Sequence, residues 1–241
     1  MLLFYIRHGD PIYAPDQLTE LGHLQAEAVA KRLALYGVDR IYSSTSTRAL
    51  QTATPTSHLL KKPITQLHWC LEHLAGKDYY FNSEVFEHEG WCFQLPEFQE
   101  MFCREDVQAL GKQWFTHPCF AQYREQFQHG YERVQGELDA FLADLGYEHD
   151  REHNYYHAIR PNEDRIALFA HQGFGTLFMS CLLDIPYPLY ATHFDMGHSG
   201  MTVIEFSNNH ENVVPQVLQL SNDSHLYREG LPTNYQNRIR F

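Results

Sequence analysis

Leu2-Leu3-Phe4-Tyr5-Ile6-Arg7-His8-Gly9 is the stretch that decides the fold. The apolar run is unbroken, too short for a buried helix, and does not alternate as a half-exposed strand would. It stops at charged residues and a glycine, which is the signature of a strand covered on both faces. Outward from it, Thr19 can cap a helix whose apolar residues Leu21, Leu24, Ala28, Val29, Leu33 and Tyr36 recur at spacings of three and four. Gly37 ends that helix. Arg40-Ile41-Tyr42-Ser43 reads as a second short strand. Thr47 to Lys62 reads as a second helix, which Pro55 is expected to kink or divide. Strand, helix, strand, helix at this spacing implies crossover units and a parallel sheet.

The far end returns to the same pattern. Arg165 to His171 is another buried strand, Phe174 to Leu183 a helix, and Met201 to Phe206 and Val213 to Leu220 two late strands. The middle differs. From Lys77 to Asn162 no strong strand shows and aromatics crowd in, among them Tyr79, Tyr80, Phe81, Phe86, Trp91 and Phe98. Glu97 to Phe115 and Phe120 to Leu145 have helical periodicity, and the polar stretch Gly146 to Glu163 reads as a loop. The expected architecture is α/β: a mostly parallel sheet flanked by helices, built in two segments. A mostly helical cap insertion occupies 77–162, inside a single domain spanning 1–241.

Composition fits that reading. The 241 residues are 44% hydrophobic and 20% charged, ordinary for a globular chain. No apolar run approaches the ~20 residues that span a bilayer. The opening residues lack a basic leader and a cleavage site, so a cytoplasmic protein without a signal peptide is expected. The net charge of −12 argues against a nucleic acid or an anionic membrane as partner. A local basic pocket can still take an anionic substrate. The 5 cysteines show no CxxC spacing, so reduced thiols are expected. His149, His153 and His157 recur at i, i+4 and i+8, which on a helix would line one face for a metal; Asn154 and Pro161 favour a loop, and no metal is assigned.

Four pieces fall at the carboxyl ends of expected strands, where open α/β sheets bind ligands. Arg7-His8-Gly9 follows the first, and Arg48 stands at the helix start after the second. Glu72 follows the next extended segment, and His171-Gln172 follows the late strand. The set suits a phosphate monoester. Arginine forks bind its oxygens and stay charged. A neutral imidazole can attack phosphorus, nearby arginines keep it neutral, and a carboxylic acid can protonate the leaving oxygen. No metal or other cofactor is needed for such a site.

With Leu18-Thr19-Glu20-Leu21-Gly22-His23 and Arg48-Ala49-Leu50-Gln51-Thr52-Ala53 added to Arg7-His8-Gly9, Tyr42-Ser43-Ser44 and Ala170-His171, the sequence resembles the histidine phosphatase superfamily, also called phosphoglycerate mutase-like. The likeness covers about 1–76 and 160–225. It implies a three-layer sandwich and a phosphorylated His8. It also implies Arg7 and Arg48 as phosphoryl ligands, His171 contacting the group from the opposite side, and Glu72, in Leu71-Glu72-His73-Leu74-Ala75-Gly76, as the proton donor.

Departures from the family pattern bear on these roles. Ala14 stands where many members carry an asparagine ligand, and Gln172 follows His171 where glycine is usual; its N–H or side chain is a candidate replacement. The short stretch from His8 to Leu18 favours a phosphatase over a glycolytic mutase. Glu84, Glu87 and Glu89 are alternative donors from the insertion. The expected function is hydrolysis of a small phosphorylated substrate, with inorganic phosphate as product. A phosphomutase and a non-catalytic phospholigand-binding protein are the alternatives.

Overall fold

A computed structural model describes residues 1–82, 89–207 and 210–233. The chain begins with β1 (Leu2–Arg7), the short hairpin β2 (Pro11–Ile12) and β3 (Gln17–Leu18), and α1 (Glu20–Tyr36). Next come β4 (Arg40–Ser44), α2 (Thr47–Leu60), β5 (Ile64–Leu67) and α3 (Glu72–Tyr79). The pair β6 (Tyr80–Phe81) and β7 (Gly90–Trp91) leads to α4 (Pro96–Phe102), α5 (Glu105–Gln108) and α6 (Arg124–Asp144). A hairpin, β8 (Tyr147–Asp150) and β9 (Tyr155–Ala158), precedes β10 (Arg165–Ala170), α7 (Gln172–Leu183) and α8 (Tyr187–His193). β11 (Met201–Glu205), β12 (Asn212–Val213), β13 (Gln216–Asn222) and α9 (Ser224–Arg228) follow.

Among the described residues the main sheet has six strands in the order β13-β11-β1-β10-β4-β5. β1, β10, β4 and β5 run parallel, while β11 and β13 are antiparallel additions on one side. β1 is central, and its apolar run is divided between two cores. Phe4 and Ile6 pack with Val29 and Leu33 of α1 and Ala53 of α2. Leu3 and Tyr5 face the other layer, where the Tyr5 and Phe178 rings lie 5.1 Å apart. That layer continues into an aromatic cluster. Trp114 stacks 5.5 Å from Tyr187 of α8 and lies 4.9 Å from Phe127 of α6, joining the insertion to the sheet side of the molecule.

The sequence reading and the structure differ in three places. α2 runs through Pro55 as one helix. Its buried residues, Ala49, Thr52, Ala53 and Thr56, belong to a face packed on α1, and that packing outweighs the one lost backbone bond. The stretch read as a loop after Gly146 holds the β8–β9 hairpin. Alternation is present there, with Tyr147 and Tyr156 fully buried, but the inward residue that follows Tyr147 and pairs with Tyr156 is the polar His149. The late segment Val213 to Leu220 is not one strand. Val213 pairs with Tyr156 beside that hairpin, and Gln216–Asn222 forms the edge of the main sheet. Among the described residues no helix is long and apolar enough to cross a membrane.

Candidate active site

The loop after β1 is fixed by residues of α1 and α2. Gly9 N–H donates to Thr52 Oγ1 at 3.0 Å, and that hydroxyl donates to the Arg48 carbonyl at 2.7 Å. Asp10 N–H donates to Gln25 Oε1 and Leu18 N–H to Gln51 Oε1, both at 2.7 Å. Gly9 and Gly22 touch through their backbones: a Cβ on Gly9 would stand 2.7 Å from the Gly22 oxygen, and one on Gly22 would collide with the Asp10 carbonyl. Thr19 caps α1 through Gly22 N–H and also donates to Asp10 Oδ2 at 2.8 Å. The sequence runs flanking His8 and Arg48 are therefore a mutual scaffold. They hold the His8 loop against two helices.

His8 is 2% exposed at the end of this loop. Its Nδ1 lies 2.7 Å from the Gly9 carbonyl oxygen, so Nδ1 carries the hydrogen and Nε2 keeps its lone pair. Burial, then His171, Arg7 and Arg48, holds its pKa well below the usual 6.5. His171 is fully buried with its ring edge-on to His8, centroids 5.2 Å apart. Arg48 Nη2 donates to His171 Nδ1 at 3.1 Å, which leaves Nε2–H to donate to Ser44 Oγ at 2.9 Å. Burial, then Arg48 and Arg7, depresses this imidazole too. His171 is not among the residues that line the cavity.

Arg48 also donates to Asp16 Oδ1 at 2.7 Å, while Asp16 Oδ2 accepts the Thr47 N–H at 2.8 Å. The Tyr13 ring lies against the same guanidinium, 5.4 Å from centroid to Cζ. Arg7 donates to the Met196 carbonyl and, at 2.9 Å, to His198 Nε2. That bond leaves the His198 hydrogen on Nδ1, which faces Asp10 Oδ1 at 3.3 Å. Burial, then Arg7, pulls the His198 pKa down to about 4. The His198 and His8 rings are 5.5 Å apart. Among the described residues, the buried Nε of Arg7 and that of Arg48 have no acceptor. Unmet donors on two buried cations make a site suited to an anion.

Glu72 is the first residue of α3, not a loop residue. It accepts the N–H of Gly173 at 2.9 Å and of Phe174 at 2.7 Å. Burial raises its pKa above the usual carboxylate value, against those two N–H groups and the arginines. Gln172 lines the cavity, and its side-chain amide donates to Asp195. Glu89 is exposed, and Glu84 and Glu87 lie outside the described residues, as does Phe86.

Arg7, His8, Arg48, Glu72 and Gln172 thus border one cavity of about 770 Å³. Sequence reasoning missed Tyr13, Asp16 and His198. His198 precedes β11, and Met201 at the start of β11 pairs with Ile6 near the end of β1. For an antiparallel neighbour the site end is the strand's start, so a strand-end rule applied with direction would have found it. His149, His153 and His157 do not form one group. His149 lies between Asp139 and Asp184, whereas His153 and His157 both approach Asp150, with His157 also on Asn212. Among the described residues no cluster of three or more His, Cys, Asp or Glu is arranged to hold a metal.

Residues 3–77 match the family described as the histidine phosphatase superfamily (branch 1). No curated protein matches the chain. Solved structures share the fold. Phosphoserine phosphatase from Entamoeba histolytica in complex with 3-phosphoglyceric acid is 20% identical, with a TM-score of 0.59 over 93% of this chain and 98% of that one. Mycobacterial glucosyl-3-phosphoglycerate phosphatase with inorganic phosphate is 17% identical, with a TM-score of 0.58 over the same 93% and 98%.

Proposed function

We propose, with membership of the histidine phosphatase superfamily through residues 3–77 as the premise, that this protein hydrolyses a small phosphate monoester through a phosphohistidine at His8. The observation that carries the reading is the His8 ring: Nδ1 faces the Gly9 carbonyl at 2.7 Å and burial beside Arg7 and Arg48 keeps the ring unprotonated, so Nε2 is a free nucleophile.

Arg7 and Arg48 take the phosphoryl oxygens, with the Gln172 N–H as a further donor. His8 Nε2 forms the N–P bond as the P–O bond to the leaving group breaks, and protonated Glu72 gives its proton to the departing oxygen. Water then attacks phosphorus, Glu72 takes its proton, the N–P bond breaks and phosphate leaves. His171 orients Arg48 and presents a neutral ring edge to His8. The segment 77–162 serves as the cap of the single domain. The phosphatases that share this fold are named for phosphoserine and for glucosyl-3-phosphoglycerate, which supports a phosphomonoester without fixing it.

The test is phosphate release from an aryl phosphate by the wild type and by His8→Ala, with labelled substrate and alkaline quench. An acid-labile phosphate on His8 in the wild type and no turnover in the variant are expected. Undiminished turnover in His8→Ala removes the assignment. Preferential transfer to an added alcohol would identify a phosphomutase, and tight phosphate binding without turnover a non-catalytic binder.

A further inference from the structure

The cavity extends well beyond the phosphoryl end. A volume of about 770 Å³ is in the range that encloses whole organic ligands. Away from Arg7, His8 and Arg48 its wall includes Leu71, Tyr80 and Trp91, with Lys77 and Gln94 as polar neighbours, while Tyr13 lies against the Arg48 guanidinium. The insertion is rich in aromatics, but most face inward: Tyr79, Phe98, Phe102 and Trp114 are each at most 1% exposed. Tyr80 departs from this pattern at 42% exposure, next in sequence to the buried Tyr79. A ring exposed at the wall of a concave site is placed to meet a ligand there.

Tyr80 and Trp91 are register partners in the β6–β7 pair, so both side chains project on one face, with centroids 5.9 Å apart at 87°. Trp91 is seated against Gly173, where any Cβ would collide with its indole. Gly173 is also a residue whose N–H binds Glu72. The indole and the candidate proton donor therefore meet the same residue, Gly173, and line the same cavity.

We infer that the substrate's leaving group carries a planar ring, of nucleoside or aryl chemistry, that stacks in the pocket formed by Tyr80 and Trp91. Lys77 and Gln94 supply hydrogen bonds to polar atoms on its edge. This rests on the phosphomonoesterase reading and narrows its substrate class.

Matched pairs test it without a difference in leaving oxygen: adenosine 5′-monophosphate against ribose 5-phosphate, and 2-phenylethyl phosphate against ethyl phosphate. The ring-bearing member of at least one pair should have the higher kcat/KM, by about tenfold or more, as expected for one stacked ring. A preference in both pairs identifies stacking alone, and in the first pair only, a nucleoside read through its polar edge. Tyr80→Ala, at an exposed position, should lower the ratio within the preferred pair about tenfold. Trp91→Leu should do the same. Equal kcat/KM within both pairs, or a ratio that survives both substitutions, overturns the inference. Binding to His8→Ala, followed by calorimetry with the same compounds, separates this from the parent reading. Tighter binding of the ring-bearing member without wild-type turnover would keep the ring site and reject the hydrolase.

Discussion

Glu72 caps a helix to which it does not belong: its Oε2 accepts the N–H of Phe174 at 2.7 Å, and its Oε1 that of Gly173. Those donors are in the first turn of α7, where the N-cap residue His171 makes no side-chain cap bond. Glu72 thus does what a capping Ser or Asp would do, while it lines the cavity beside two arginines. Structural capping and the proposed proton donation fall to one carboxyl group.

Glu72→Gln is therefore expected to have two effects. The amide has one acceptor for two N–H donors, so one backbone donor loses its partner at a cost of about 1–3 kcal/mol. Denaturant unfolding should show that loss. The chemical effect is separable. A nitrophenolate departs nearly unaided and an alkoxide does not, so kcat on an alkyl phosphate should fall much further than on p-nitrophenyl phosphate. Equal losses on the two would make Glu72 a cap only.

Protonation of His8 gives a second test. Its folded-state pKa lies well below 6.5, as does that of His171, and His198 sits at about 4. The unfolded chain binds protons first as pH falls. The stability linked to these groups is full above about pH 6.5 and is lost as pH falls toward their folded values. Tm should decline over that acid window. In an NMR titration His8 should remain neutral through pH 6.5, and Arg48→Gln should raise its midpoint by removing one repelling charge. A wild-type His8 midpoint at or above 6.5 would contradict the burial argument.

Metal removal is the third. With two arginines to balance the anion, activity should survive EDTA, and vanadate or phosphate should inhibit competitively with the substrate. Loss on chelation with recovery on adding zinc or magnesium would require a metal that the proposed chemistry does not use.

How much of this was legible depends on where the information sat. β1 and β10 could be read because a strand covered on both faces needs an unbroken apolar run. The Arg7, His8, Arg48 and His171 grouping followed from strand ends. The β8–β9 hairpin was hidden because its inward residue is His149, held by Asp139 and Asp184 that are remote in sequence. Glu72 as a cap of α7 was equally hidden, since the pairing crosses from α3 to a distant helix. Tyr80 and Trp91 were visible as aromatics, but only the β6–β7 register separates them from the buried set.

His198 supports the last prediction. Arg7 has no carboxylate among its described bonding partners: it donates to the Met196 carbonyl and to His198 Nε2. His198 in turn faces Asp10, the residue after Gly9, with its Nδ1, so the ring stands between Arg7 and the His8 loop. Its expected role is positioning. His198→Ala should loosen Arg7 and lower kcat/KM about 10- to 100-fold, less than removing Arg7 itself, for which a loss of about 10²-fold or more is expected by analogy with single donors in preorganised anion sites. His198→Gln, which can present an oxygen to Arg7 at similar reach, should restore much of the activity. The separating measurement is vanadate affinity. A positioning residue should weaken vanadate binding together with kcat/KM, in His198→Ala and less in His198→Gln. If His198→Ala leaves vanadate affinity unchanged while thermal stability drops, His198 is a packing residue and Arg7 is held without it.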